Sequence, residues 1–249
     1  MPKIIIHQVL DSTMLEMARA LERGELSDFD AVMALRQTAG QGRLQRSWHT
    51  GAGKNLAVSF WVPLEPDRLP PLPLTAALAV IDTLSGAGLA GQLRCKWPND
   101  IKVRDRKICG ILCRYAENAR NTAGSIVGIG VNLDLSGEEI EAIDQPVTSL
   151  KTLTGRGADP RELCSVLQNR LESRVSALKR DGFADMAAEW YGLCGHADRE
   201  ISVDTGFAVI TGRTKGIDGQ GALLLDCGGT ERRIICGDVA NQAASLRRS

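Results

Sequence analysis

The chain has 249 residues, 43% of them hydrophobic, and its 30 basic and 30 acidic side chains give a formal net charge of zero. This balance excludes the overall basic charge expected of non-specific nucleic-acid or anionic-membrane binding. Length and composition predict one large domain, or a large and a small one, in a cytoplasmic protein without a signal peptide or a bilayer-spanning apolar run.

The first half of the chain alternates between strand-like and helix-like apolar patterns. A strand is predicted at residues 4–9, followed by a helix that begins after the N-cap candidate Ser12 and ends at Gly24. The pattern then predicts a helix at residues 74–86 and strands at residues 31–36, 55–62, 92–97, 108–115 and 125–135.

The residue pattern of the second half changes twice. Asp159 and Pro160 offer an N-cap and a first helical residue, and an apolar stripe continues to Leu178 before a short helix at 183–191. After Gly195, short β-rich runs broken by glycine turns predict a small β-barrel of about five strands. We therefore predict two domains, residues 1–195 and 196–249.

Cysteine and histidine give little indication of a metal or disulfide framework. The seven cysteines are odd in number and contain no CxxC pair, and the three histidines are scattered. The sequence therefore predicts buried reduced thiols and no protein-built metal site.

The stretch "TAGQGRLQRSW", residues 38–48, combines glycines, arginines and a tryptophan in one predicted loop. Glycine allows close approach of backbone to a ligand, and arginine recognises phosphate or carboxylate through a planar fork of donors. An ordinary surface loop would have the same composition, so this stretch alone does not establish a ligand site.

The stretch "KWPND", residues 96–100, is predicted to be a stiff corner at the end of a strand. Proline fixes its own φ and restricts Trp97, and Asn99 and Asp100 favour a turn. The stiff corner can therefore hold the Lys96 ammonium in one direction, toward a ligand. A plain β-turn with an exposed lysine is the alternative.

These stretches together resemble the biotin protein ligase family. The resemblance rests on "DST" (11–13), "TAGQGRLQRSW" (38–48), "KWPND…KICGIL" (96–112) and "VGIGVNLD" (127–134), with "GRTKGIDGQGALLLDCGG…CGDV" resembling the family's terminal barrel. It implies an α+β fold: a mixed-sheet catalytic domain of the biotin/lipoate ligase type followed by a small C-terminal SH3-like β-barrel.

The resemblance also implies a two-step reaction with ATP and biotin as substrates and Mg²⁺ as cofactor. Biotin is activated to biotinyl-5′-AMP and then transferred to a lysine of a biotin carboxyl carrier protein domain, as in acetyl-CoA carboxylase. Joining an anionic carboxylate to an anionic phosphate demands positive charge, which Arg43 and Lys96 can supply.

Residue by residue, the resemblance implies overlapping sets of functional side chains. Arg43 and Lys96 are the implied catalytic pair. The implied biotin-binding residues are Ser12, Thr13, Gln37, Gly40, Gln41, Gly42, Arg43 and Lys96. The implied ATP and adenylate-binding residues are Arg43, Arg46, Trp48, Lys96, Asn99 and Asn132.

Several positions depart from the family pattern. Gln41 stands where the first loop arginine is usual, and Gln45 where the last loop glycine is usual. Met14 replaces a common asparagine, and Cys113-Arg114 occupies a place where an acidic residue is common. Because Arg43 and Lys96 remain, we expect activity, with weaker retention of biotin or adenylate.

Four other hypotheses compete with this interpretation. A lipoate or octanoate ligase or transferase shares the fold but differs at KWPND and the barrel. A DNA-binding repressor would need a further module before a strand that begins near residue 3, so no direct DNA binding is expected. A nucleotide-binding loop of another kind is the third hypothesis, but the loop does not match the GxGxxG fingerprint because Gln45 replaces the last glycine. A non-enzymatic biotin-binding role and a homodimer both stay open.

Overall fold

The fold is built on two β-sheets, and the computed structural model describes residues 2–43, 46–48, 50–51 and 53–240. The first sheet has seven strands in the order β1-β2-β3-β7-β6-β5-β4, and only the β1–β2 pair is parallel. These strands are β1 (Ile4–Leu10), β2 (Ala31–Gln37), β3 (Leu56–Pro63), β4 (Arg94–Lys96), β5 (Asp100–Val103), β6 (Arg106–Glu117) and β7 (Ala123–Val131).

Helices cover the two faces of this sheet and close its core. They are α1 (Thr13–Glu22), α2 (Leu72–Leu84), α3 (Gly137–Ala142), α4 (Leu150–Thr154), α5 (Pro160–Asp181) and α6 (Ala184–Gly192). Helix α2 packs against α5 and the sheet, and nearly all of its side chains are buried. A helix that is apolar on every side is buried in a protein core or in a membrane, and α2 is surrounded by core.

One expectation about membranes is wrong as stated. The segment Leu72–Leu89 is long and apolar enough to cross a bilayer by length and composition, although 67% of it is buried inside the fold. Its hydrophobicity has a structural cause, because α2 forms the middle layer between the sheet and α5.

The C-terminal sheet has the predicted five strands, all antiparallel, in the order β11-β10-β9-β8-β12. They are β8 (Glu200–Asp204), β9 (Val209–Ile217), β10 (Leu223–Asp226), β11 (Glu231–Ile234) and β12 (Asp238–Val239). The α+β class with a mixed sheet and a small β-domain is confirmed. The division into domains 1–195 and 196–249 stays a prediction, and residues 241–249 lie outside the described part.

Most predicted elements appear with shifted boundaries. Asp159 caps α5 by accepting a hydrogen bond from the Arg161 backbone N–H, as predicted. The predicted strand at 92–97 is the short β4, which forms a hairpin with β5, an element that the sequence did not reveal. All seven cysteines are free, four of them buried, and Cys236 is exposed.

Candidate active site

The glycine loop, residues 38–48, folds back on itself between β2 and β3. Trp48 N–H donates to the Gly40 carbonyl at 2.9 Å, and Gly42 N–H donates to the Arg46 carbonyl at 2.7 Å. A Cβ atom at position 40 would lie 2.5 Å from the Trp48 carbonyl oxygen and 2.7 Å from Gln37 Nε2. Only glycine therefore fits there. Gln45, one of the departures from the family pattern, lies outside the described residues.

Two paired glycines form the floor beneath the loop. Gly110 of β6 lies opposite Gly130 of β7, and the Trp48 indole covers both, so a Cβ atom on Gly130 would overlap the ring. Lys107 Nζ lies 5.7 Å from the centroid of the same ring. The buried Trp48 Nε1 has no hydrogen-bond partner among the described residues. Such a donor is unusual and marks a place for an acceptor.

One end of the cavity under the loop, the neutral end, is built from uncharged polar side chains. Thr13 N–H and Oγ1 both donate to Gln37 Oε1, at 2.8 and 3.1 Å, and Ser59 Oγ donates to Thr13 Oγ1 at 2.9 Å. Thr13 and Ser59 are buried, as is the neighbouring Ser12. Since the Gln37 carbonyl is already occupied, its amide N–H groups are the part left to face a ligand.

The opposite end, the charged end, contains the guanidinium of Arg43 and the ammonium of Lys107. Arg43 Nη1 donates to Asn99 Oδ1 at 3.1 Å and to Asp238 Oδ1 at 2.6 Å, and Nη2 donates to the Gly237 carbonyl at 3.2 Å. Lys107 Nζ lies 2.8 Å from Asp100 Oδ1, with 14% and 17% of the two side chains exposed. That contact is an ion pair without hydrogen-bond geometry.

The KWPND corner organises this charged end. Trp97 Nε1 donates to the Gly221 carbonyl at 3.1 Å, which ties the corner to the C-terminal sheet. Asn99 Nδ2 donates to the Ile111 carbonyl at 2.8 Å while its Oδ1 holds Arg43, and Asp100 pairs with Lys107. The turn residues of the motif therefore set the positions of both cations.

Lys107 is the residue that sequence reasoning missed. Among the described residues that line the cavity, Lys107 is present and Lys96 is not. Lys96 lies at the end of β4, where burial, followed by repulsion from Lys102, lowers its pKa. The available signal was the position of Lys107 at the head of "KICGIL", a stretch already quoted for the resemblance.

The other candidate residues divide into three groups. The cavity brings together Ser12, Thr13, Gln37, Gln41, Gly42, Arg43, Trp48 and Asn99. Gly40, Gln37 and Trp48 also line an adjoining cavity of about 320 Å³. Arg46 is mostly exposed, 3.5 Å from Asp238, and the buried Asn132 donates to the backbone carbonyls of Lys107 and Thr148. Asn132 therefore supports the backbone at Lys107.

The free volume under the loop is about 50 Å³, because the Trp48 ring fills much of the space above the floor glycines. Small-molecule sites usually measure several hundred Å³, on the order of 300–1,000 Å³. A ligand of that size requires Trp48 to move, which the glycine-hinged loop permits.

Comparison with known proteins places these features in a family. The profile of the biotin/lipoate A/B protein ligase family matches residues 6–132, and that of the biotin protein ligase C terminal domain matches residues 196–240. The biotin–[acetyl-CoA-carboxylase] ligase of Paracoccus denitrificans is 34% identical over 230 residues, which cover 90% of this chain and 94% of that relative.

Two further relatives agree over nearly the whole chain. The bifunctional ligase/repressor BirA of Escherichia coli is 30% identical over 97% of this chain, which spans 74% of the relative's length. The structure of the biotin protein ligase from Aquifex aeolicus in complex with biotin and ATP superposes with a TM-score of 0.81 at 26% identity. That superposition covers 96% of this chain and 98% of the other.

Proposed function

Because this chain belongs to the biotin/lipoate A/B protein ligase family, we propose that it is a biotin protein ligase, which uses ATP to attach biotin to a lysine of a biotin carboxyl carrier protein domain. The observation that carries the proposal is the two-ended cavity. Uncharged hydrogen-bonding groups lie at one end and two cations at the other.

Biotin has the same division within one molecule. Its fused ring carries a neutral cyclic urea with donors and an acceptor, and its flexible tail ends in a carboxylate. The buried Ser12 and Thr13 and the half-buried Gln37 suit the ring, and the tail extends toward Lys107. Lipoate and octanoate have no polar group at the end remote from the carboxylate. They would leave the Gln37 amide N–H groups unpaired, and a polar group enclosed without a partner costs about 1–3 kcal/mol.

In the first step, an oxygen of the biotin carboxylate attacks the α-phosphorus of ATP. The new O–P bond forms as the bond to the pyrophosphate oxygen breaks, and negative charge concentrates between the reactants. Arg43 and Lys107 supply the opposing charge from positions fixed by Asn99 and Asp100. We therefore assign the contact with the reacting groups to Lys107, and contact by Lys96 stays the competing prediction.

We place the nucleotide beside Trp48, which lines both the cavity under the loop and the adjoining cavity. The adjoining cavity of about 320 Å³ borders Trp48, Thr50 and Leu135, and an aromatic face there suits the adenine ring. Among the described residues, no group of three acidic, histidine or cysteine side chains could hold a metal ion. Mg²⁺ commonly binds through substrate phosphates and water, so we propose that it is carried to the site by ATP.

In the second step, the amine of the carrier lysine attacks the carbonyl carbon of the adenylate. A C–N bond forms, the C–O bond to the phosphate breaks, AMP leaves and the amine releases a proton to solvent. Until the carrier arrives, the glycine loop excludes water from the mixed anhydride. Arg43 fastens the loop to Asp238 of the C-terminal sheet, which gives this sheet a part in retaining the intermediate.

Intact-mass spectrometry tests the proposal directly. The purified protein is incubated with ATP, Mg²⁺ and biotin, with and without a biotin carrier domain. We expect the carrier to gain one biotinyl group, and to gain none when ATP is omitted. Transfer of lipoate or octanoate with no transfer of biotin would overturn the substrate. Adenylate without transfer to any carrier domain would overturn the second step.

A further inference from the structure

The glycine loop is fastened to the rest of the molecule at two separate points. On one side, Arg43 bonds to Asn99 and Asp238. On the other side, Gln41 Oε1 accepts a hydrogen bond from Arg114 Nη2 at 3.2 Å, although the two residues lie 73 positions apart. The proposed function uses the first fastening and gives no role to the second.

The register of β6 places Arg114 at the rim of the neutral end. Side chains alternate between the faces of a strand, so Gly110, Leu112 and Arg114 share one face. Gly110 lies under Trp48, and Leu112 lines the cavity beside Gln41. Arg114 follows two residues later, about 6.6 Å further along the strand, at the end remote from Lys107.

The hydrogen bond to Gln41 is donated by the charged guanidinium of Arg114, which has no ion-pair partner in the described ranges. The backbone of Arg114 is fixed, because Ser125 Oγ donates to the Arg114 carbonyl at 3.0 Å and β7 pairs with β6 there. Gln41, by contrast, belongs to the hinged loop. Strand residue and loop residue therefore form a fixed donor and a movable acceptor, the arrangement that holds a loop closed.

We propose that Arg114 is a positioning residue that holds the Gln41 side of the glycine loop over the biotin ring and slows the release of biotin and biotinyl-5′-AMP. The inference rests on the proposed function, since it takes biotin as the occupant. Gln41 and Arg114 are both positions at which this chain departs from the family pattern, and the fold brings the two departures into contact.

The test measures release rates of biotin and of biotinyl-5′-AMP from the full chain by stopped-flow displacement. Arg114→Ala and Gln41→Ala should each speed release about threefold to tenfold, as expected for loss of one solvent-exposed hydrogen bond. The double variant should release no faster than the faster single variant, because both changes remove the same contact. Arg120→Ala, which removes an exposed arginine from the β6–β7 turn, is the matched charge control and should release at the wild-type rate.

A second pair of variants tests the same contact by changing charges and not by shortening side chains. Gln41→Arg places two guanidinium groups together and should speed release, whereas Gln41→Arg combined with Arg114→Glu should restore the wild-type rate or a slower one. Multiplicative effects in the alanine pair, or no rescue by the exchange, would overturn the inference while wild-type ligation persists. Failure of the wild-type chain to bind biotin would overturn the proposed function and this inference with it.

Discussion

The two ends of the cavity are built in different ways. The neutral end takes Thr13, Gln37 and Ser59 from the start of α1 and from two adjacent strands, and these side chains bond to one another inside the core. The charged end collects Arg43, Lys107 and Asp238 from a loop, a strand start and the C-terminal sheet. The cavity therefore has a rigid polar network at one end and charged side chains from separate segments at the other.

This difference has energetic consequences. A buried polar group that loses its partner costs about 1–3 kcal/mol, so changes at the neutral end should appear as lost affinity. Partly exposed ion pairs such as Arg43–Asp238 contribute about 0–1 kcal/mol to stability, so loss of the Asp238 charge should be mild. A change at Lys107 should be severe, because this side chain is largely buried and we propose that it contacts the reacting groups.

Replacing Lys107 should give the largest effect on activity and should distinguish the roles of the two ends of the cavity most clearly. Lys107→Gln should slow adenylate formation about 100-fold to 1,000-fold, the usual cost of removing one group that stabilises developing charge. Biotin affinity should change far less, because the neutral end is intact. Pyrophosphate release gives the rate, and equilibrium dialysis gives the affinity.

Lys96→Gln is the matched control, and it decides between two lysines. We expect it to be the milder substitution, since Lys96 is not among the described residues that line the cavity. A greater loss of adenylate formation in Lys96→Gln than in Lys107→Gln would restore the sequence-based assignment.

Gly40 packs between Gln37 and the Trp48 backbone, and a methyl group there should displace both. Gly40→Ala brings a Cβ atom to 2.5 Å from the Trp48 carbonyl and 2.7 Å from Gln37 Nε2. Overpacking of this kind costs about 1–3 kcal/mol, so biotin affinity should fall about 5-fold to 100-fold, as measured by titration calorimetry. Gly42→Ala is the control, because the nearest atom to its Cβ would be the Arg46 backbone oxygen, at 3.3 Å. Equal losses in the two variants would contradict this geometry.

The sequence predicted the neutral end and the charged end unequally. The periodic strands β1 to β3 and the capped helix α5 were predicted from local pattern. Arg43 was a candidate through the family resemblance of the glycine loop. Ser59 was missed, although a lone polar residue inside the apolar strand "LAVSFWVP" was a usable signal. Its burial shows that a polar interruption of a core strand can mark a site.

The missed residues of the charged end have a different cause. Lys107 enters the cavity through the register of the β5–β6 hairpin, which shifts between Ile101 and Lys102. No local pattern gives that shift. Asp238 meets Arg43 across 195 positions, and only packing of the C-terminal sheet on the corner brings them together. The charged end depends on contacts between residues that are distant in the sequence, so motifs and periodicity could not have predicted its members.

Thr13→Val tests the neutral end with little change of shape. The substitution removes the hydroxyl that bonds Gln37 and Ser59, so biotin affinity should fall about tenfold. The rate of adenylate formation at saturating biotin should stay close to that of the wild type, which separates this variant from Lys107→Gln. Thr75→Val is the control, because Thr75 is also buried but bonds the carbonyl of Pro71, the residue before α2. The same affinity loss in Thr75→Val would show that general destabilisation is the cause.

Asp238→Asn should give the smallest effect, and it asks how far the charged end depends on the C-terminal sheet. Asparagine keeps a hydrogen-bond acceptor for Arg43 but removes the ion pair, whose side chains are 26% and 30% exposed. Ligation at low salt should slow about twofold to fivefold, and the difference should shrink as salt screens the wild-type pair. Asp181→Asn, which removes a surface charge paired with Arg180, should leave the rate unchanged. A loss as severe as that of Lys107→Gln would mean that the reaction requires the charge supplied by the C-terminal sheet. The sheet would then be part of the charged end itself and not only a support for Arg43.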